Sequence, residues 1–484
     1  MGNVINMIGG GAGDKGILTS ICTNIIAVSG DGECSLTWTD PPATETFHGV
    51  DIKWKSTIVR YKAGSAPTSA TDGTVATIET THNQYQSSPL VITGLTNGVT
   101  YYISVFPKAE NGAINTEATQ IVKCTPMAFS TWTVKIDQSN SNPLTCCTYA
   151  DSAVGMNKAS SEWDTIFGYK PCIMQNGNVV GYLNPNDFSK YEDGSTAPIT
   201  DSNYDVMIEF PRRGLNISTS GDIVSVSLTD NPNDSNFQYL AHKRGNVQKD
   251  YFYLGAYVMT SGYRSVSGQS PLVNVNLTDF ITNTHSTRGS GYEIMAFYQH
   301  TYIQALYILK YGNLNSQQAL GRGYIRGSSA QTTGVTNTKG MCYGSSSTTD
   351  RVKLFGLEDF WGNVYQWLGG LYSDNNRNLL TTTDNFGTNT STSAWEYNVP
   401  SEVSSNIANW VSKVQGGNNS GFVVKEVSGS ATTFFCAFGY LYANCFPYVG
   451  GYWDDGDGVG VFLHFVTYVA SITVSRLGAR LMYL

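Results

Sequence analysis

From Ser428 to Leu484 the chain contains no lysine, no glutamate and no glutamine, and only one tryptophan and one methionine. At the usage of the rest of the chain, several lysines and acids or amides of the longer kind would fall in a stretch of that length. Other shortages bound the whole protein. Only 14% of the 484 residues are charged, and the net charge is -8. Phosphate binding needs clustered lysine and arginine, and none is seen, which argues against nucleic acid as a partner. Met1 to Gly16 has no basic stretch followed by an apolar core, and no apolar run is long enough to span a bilayer. Neither export by a signal peptide nor membrane insertion is expected. The nine cysteines include no C-x-x-C pair, and adjacent Cys146 and Cys147 have poor geometry for bonding to each other, so reduced, buried thiols are expected. The six histidines show no paired metal spacing, and there is no Gly-x-Ser-x-Gly elbow. Gly9 to Gly13 lacks the Gly-Lys-Ser/Thr of a phosphate loop and reads as part of a flexible arm over 1–18.

What is abundant is glycine (50) and tyrosine (30), within a polar, Ser/Thr/Asn-rich background. That is a β-type composition, and the same residues make adaptable binding surfaces. The length suits two to four domains. Over 19–125, short alternating stretches recur with turn signals between them: Ser35 to Thr39, Ile58 to Lys62, and Leu95 to Val105. In the last, Asn97-Gly98 makes a turn, and Tyr101, Ile103 and Val105 then share one face. This segment resembles a fibronectin type III domain, with Leu95 as its turn leucine and Tyr101 as its corner tyrosine, which implies an all-β sandwich acting as a spacer.

Residues 126–290 read as a β-rich intermediate region, either separate or part of the C-terminal domain. Its strand-like pieces are Thr131 to Ile136, Val206 to Phe210, Ile223 to Leu228 and Tyr251 to Val258. Asp205 to Arg213 looks like segments of phage tail and baseplate proteins. Ser290 to Tyr311 is the one helix the periodicity supports strongly, with Gly312 as its stop, and a shorter one is expected at Ser316 to Leu320. Thr332 to Thr349 reads as a loop and 373–420 as a long surface insertion.

Three motifs close the chain: Gly356-Leu-Glu-Asp-Phe-Trp361-Gly-Asn-Val364 with Trp367; a Gly-Gly-x-Trp-x-x-Gly core of Gly450, Gly451, Trp453 and Gly456; and Gly478-Ala-Arg480-Leu481. Adenine replacement in asparagine codons that end in a pyrimidine yields Tyr, Asp, Ser, Thr, Ile, Val, Phe, Leu, His, Gly and Arg. It cannot yield Lys, Glu, Gln, Met or Trp. With these motifs and that residue set, the segment is similar to the variable proteins of diversity-generating retroelements, whose terminal domain has a C-type-lectin-like fold of the formylglycine-generating-enzyme type.

The resemblance implies an α+β lectin-like domain over 291–484 with a variable region at about 437–484. It implies a ligand-binding set of Tyr452, Asp454, Asp455, Gly458, Leu463, Phe465, Thr467, Tyr468, Ile472, Val474 and Arg476, which Phe438, Tyr440 and Tyr442 extend. The scaffold set is Trp361, Trp367, Gly450, Gly451, Trp453, Gly456, Gly478 and Arg480, with both Trp361 and Trp367 buried and their N–H groups on backbone partners. His464 fits neither set. A strand over Val461 to Val469 would put Leu463, Phe465 and Thr467 on one face, and Ile472, Val474 and Arg476 alternate in the same way.

The function implied is host adsorption at a phage tail tip, in the virion, by a homo-oligomer, a trimer by preference. Its partners would be a bacterial surface protein or glycan and other tail proteins. Two other readings are a cell-encoded surface binding protein of the same class, and a divergent thiol oxidase of the formylglycine type. For the oxidase, Cys436 and Cys445 lie in the right vicinity but lack the surrounding motif, and Phe434-Phe435 makes an apolar setting that quiets a thiol. No catalytic residue and no cofactor are expected, although Asp454-Asp455-Gly456-Asp457 leaves room for a structural Ca²⁺.

Overall fold

The computed structural model describes residues 20–47, 49–117, 120–384 and 386–484; the expected arm at 1–18 lies outside them. The protein is mostly β and divides into two compact units, Met1–Phe129 and Ser130–Leu484.

In the first unit, one antiparallel sheet holds Thr23–Gly30, Glu33–Thr39 and Leu90–Thr93. The other holds Thr44–Phe47, Val50–Ala63, Tyr101–Ala109 and Ile121–Cys124, with Thr74–Glu79 paired to Val50–Ala63. Leu36, Trp38 and Ile92 from one sheet meet Val59, Ile103 and Val105 from the other in one core. The period of two explains the arrangement, since every second side chain of Glu33–Thr39 is buried. Leu95 is buried at the turn, and the Tyr101 hydroxyl accepts the Thr96 N–H at 3.1 Å. Tyr101 thus ties its own strand to the preceding turn.

The second unit is built on one large mixed sheet. It runs from Asp187–Tyr191 through Asn178–Asn184, Lys170–Gln175, Asp205–Pro211 and Tyr251–Val258 to Leu477–Tyr483. It continues through Tyr365–Trp367, Phe446–Val449, His464–Tyr468 and Phe438–Leu441 to Ile407–Trp410. The terminal strand Leu477–Tyr483 is therefore central, antiparallel to Tyr251–Val258 and parallel to Tyr365–Trp367. Residues 126–290 supply five of the twelve strands of this sheet and share its core. A second, four-stranded sheet comprises Cys147–Asp151, Thr131–Asp137, Ile223–Thr229 and Gly214–Ser220.

The helix Phe297–Tyr311 is buried at every position and stops at Gly312, φ +49°. Its expected start at Ser290 is corrected: Tyr292–Ile294 pairs with Leu477–Tyr483 as a strand before the helix begins. A second long helix, Leu277–Arg288, was hidden in the polar stretch before it. Asn276 caps that helix by accepting the Asp279 N–H at 2.8 Å. The surface insertion expected at 373–420 is also corrected. Leu371–Ser373, Leu379–Thr381 and Tyr397–Val399 form a small sheet with Leu379 and Leu380 fully buried, and Ile407–Trp410 is an edge strand of the main sheet.

Candidate functional site

The scaffold motifs converge on one buried arginine. Arg480 is completely buried, and its guanidinium donates to Gly255 O (2.7 Å), Glu358 O (2.6 Å), Asp359 O (3.3 Å) and Gln366 Oε1 (2.9 Å). Burial lowers its pKa to about 10 against the opposing pull of Asp359 and Glu358. The carboxylates of those two residues turn instead to Arg351, which pairs with both. Glu358 also accepts the Gly334 and Thr336 N–H groups. The Gly478-Ala-Arg-Leu strand and the Gly356–Val364 segment are thus joined by a hydrogen-bonded knot with little slack.

Trp361 is buried and donates to Gly321 O at 3.1 Å. Trp367 is buried too, but its expected backbone partner is corrected: Nε1 has no acceptor among the described residues. Gly450 and Gly451 both have positive φ, and a Cβ on Gly451 would sit 2.5 Å from Val459. Gly456 turns at φ +70°; Trp453 is half-buried and meets Tyr452 edge-on.

A floor of rings, partly buried and partly half-exposed, lies beside this knot. Cross-strand register sets Tyr440 opposite Phe465, Phe465 opposite Tyr448, and Tyr448 opposite Trp367. Tyr440 stacks on Phe465 with centroids 4.2 Å apart, which leaves Phe465 only 5% exposed. Tyr442 follows Tyr440 in parallel at 6.5 Å, while Phe438 packs on Trp410 at 4.4 Å. Tyr468 stacks on Tyr448, whose hydroxyl lies 2.9 Å from Thr467 Oγ1. Tyr452 packs on Tyr365 at 5.2 Å, and the Arg476 guanidinium sits 5.0 Å above the Tyr452 ring. At the centre, the Tyr365 hydroxyl donates to Asp455 Oδ2 at 2.5 Å. Burial raises the Asp455 carboxyl to about 6, against the opposing effects of that hydrogen bond and of Arg476.

The structure therefore gathers Tyr440, Tyr442, Tyr452, Asp455, Phe465, Thr467, Tyr468 and Arg476. Asp454 is exposed beside them, with Ile472 and Val474 half-buried. Gly458 and Leu463 are corrected. A Cβ on Gly458 would lie 2.0 Å from the Phe438 ring, and Leu463 is fully buried after a turn onto Gly460. The strand is shorter than expected, His464–Tyr468, and a register shift at its pairing with Phe446–Val449 disturbs strict alternation. Residues 469–476 are irregular in backbone, yet Ile472, Val474 and Arg476 are half-buried and alternate with exposed Thr473 and Ser475. His464 faces inward, buried, near His300 and Phe297.

Tyr365, Tyr448 and Trp410 belong to the floor and were missed. Tyr365 sits inside a motif that reads as packing, Tyr448 precedes the Gly-Gly pair, and Trp410 lies in the supposed insertion. Asp455 and Asp457, two residues apart, face different ways, since Asp457 pairs with Arg322 and Arg326. Among the described residues no group of three or more His, Cys, Asp or Glu side chains converges as a metal site. Cys436 and Cys445 are buried and unbonded, and burial lifts the Cys436 thiol to about 12. No helix among the described residues is long and apolar enough to cross a membrane.

No family model matches the chain, and no curated protein matches it in sequence. A solved structure of a Major Tropism Determinant U1 variant superposes on 80% of this chain and 81% of its own, at 11% identity and a TM-score of 0.22. At that score the superposition does not establish a common fold.

Proposed function

We propose that this protein is a receptor-binding protein of a phage tail tip, in which a fibronectin III-like spacer is followed by a C-type-lectin-like domain that displays a diversified surface. The observation that carries this reading is the separation of roles within one segment. Between Tyr452 and Arg476, the half-exposed or exposed side chains are all residue types that asparagine-codon diversification can produce, apart from Trp453 and the small Ala470. The motif residues Arg480, Glu358 and Asp359 form the buried knot beside them. A rigid frame that tolerates replacement where side chains leave the fold suits a surface under repeated change. Half-exposed tyrosines beside an acid and an arginine are the chemistry of a recognition patch. Catalysis is no part of this reading, and neither is a cofactor. Weak single contacts would gain from several copies on a virion, which favours a homo-oligomer, with a trimer preferred.

The test is adsorption. Purified full-length chain should block attachment of the parent phage to its host. Tyr440→Ala with Tyr452→Ala should lose that block by about tenfold or more while folding normally, as expected for central aromatic contacts. Full blocking by the double variant would overturn the assignment of the patch.

A further inference from the structure

The loop that holds Asp455 against the ring floor also borders a different kind of surface. On its other side lies an open cleft of about 580 Å³, within the usual span of small-ligand sites, about 300–1,000 Å³. Its floor is bare backbone. A Cβ on Gly321 would meet Gly344 Cα at 2.6 Å, and one on Gly344 would meet Leu320 O at 2.4 Å. The two backbone segments therefore touch with no side chain between them, and the space above stays open. Trp361 fixes this floor from beneath by donating to Gly321 O.

The walls are amides, hydroxyls, one ion pair and the aliphatic side chains of Leu320 and Ala431. Gln317 spends its Nε2 on Asp457 O and Val459 O, which leaves its carbonyl oxygen to the cleft. The side chains of Gln318 and Ser346 make no hydrogen bond among the described residues, and Thr432 is exposed at the rim. Asp457 takes Arg322 and Arg326 on Oδ1 alone, so Oδ2 remains an open acceptor. The lining holds one cation and one anion, already paired, and its side chains include no aromatic ring. No unpaired charge lines the cleft for a phosphate or an ammonium, and the aliphatic side chains of the lining are Leu320 and Ala431. It offers acceptors in Gln317 Oε1 and Asp457 Oδ2, groups able to donate in Gln318 and Ser346, and aliphatic contact from Leu320 and Ala431, which together suit the hydroxyls and C–H faces of a sugar ring.

We infer that this cleft is a second binding site, for a neutral oligosaccharide, built from the frame and distinct from the aromatic patch. It does not depend on the patch being the adsorption surface. A protein with both would hold a glycan through fixed groups and read a second feature through variable ones.

The experiment uses the full chain on an array of neutral hexose, deoxyhexose and N-acetylhexosamine oligosaccharides, followed by calorimetry on any that bind. Ser346→Trp, at an exposed rim position, should close the cleft and abolish binding. Gln318→Ala should weaken it about tenfold, the worth of one or two hydrogen bonds. Tyr452→Ala, which alters the patch, should leave the affinity unchanged. If no oligosaccharide binds in the millimolar range, or if Ser346→Trp with an unchanged circular dichroism spectrum still binds, the inference is wrong. Loss of binding in Tyr452→Ala but not in Ser346→Trp would assign the sugar to the patch and equally overturn it. Adsorption blocking, measured separately, reports on the patch whatever the array shows.

Discussion

Arg480 and Arg476 stand four residues apart and show what separates the frame from the displayed surface. Each donor that Arg480 uses is assigned to a specific oxygen, three of them backbone carbonyls from segments far away in sequence. Arg476 lies half-exposed over the Tyr452 ring with no ion pair among the described residues. In the frame, replacement strands buried acceptors. On the patch, replacement of a half-exposed side chain such as Arg476 is expected to change the surface with little effect on the fold.

The sharpest test of that division is a pair of substitutions. Arg480→Met fills similar volume but leaves the carbonyls of Gly255 and Glu358 without donors. It should cost about 3–5 kcal/mol, as breaking buried polar networks does. Arg476→Ala should cost within about 1 kcal/mol, because an exposed cation–π contact is worth no more. Chemical denaturation of both variants measures the difference. Equal losses would mean that the patch is part of the frame.

Acid should distinguish the regions next. Three histidines are buried in the frame, each with at least one unpartnered ring nitrogen: His242, His300 and His464. Burial lowers His464 to about 4 and His242 to about 3, the latter also beside Arg212 and Arg213, and it holds His300 well below the ordinary range. A depressed histidine pKa means that the unfolded chain takes the proton first. Stability is therefore complete above about pH 6.5 and falls as pH drops towards the folded values, by up to about 1.4 kcal/mol per pH unit for each histidine. Denaturation midpoints at pH 7.5 and 5.5 should show that loss, and His464→Phe should shrink it. A flat profile between those pH values would show that the imidazoles are hydrated or paired.

The parts of this molecule that were legible in sequence are those where local pattern and tertiary role agree. The turn at Asn97-Gly98 with Tyr101 was one, because alternation and a short-range hydrogen bond suffice to define it. The ends of the chain motifs were another, since a glycine at positive φ and a buried tryptophan have few alternatives. Leu277–Arg288 was not legible, because its buried side is only Leu277, Phe280, Ile281 and Thr284 in a polar sequence. Leu463 was misplaced because a period of two was extended past the strand's true start at His464, and Gly458 because it was carried over from the resemblance without regard to the Phe438 ring that fills its space. The ring floor was half visible. Its strand Phe438–Leu441 alternates plainly, but its neighbours Trp410, Tyr448 and Tyr365 arrive from three separate segments, and only the sheet order brings them together. The cleft left no sequence signal, as its floor is a contact between two glycines 23 positions apart.

Asp455 gives the smallest effect and the finest placement of the boundary. Its carboxyl, raised to about 6, holds a proton that the unfolded chain, at the usual value of 3.8, has already released. The stability that proton brings is present below about pH 4 and is lost as pH rises through 6, opposite in sign to the histidines over the same window. Asp455→Asn removes the titration while keeping an oxygen to accept the Tyr365 hydroxyl. The variant should match the parent near pH 4 and exceed it near pH 7.5 by about 1 kcal/mol, after allowing for solvent screening. The gain would be measured as the difference between the two pH–stability curves. If Asp455→Asn is instead less stable at pH 7.5, the ionised carboxylate is holding Tyr365 and Arg476 in place. Asp455 would then belong to the frame, and the displayed surface would begin beyond it.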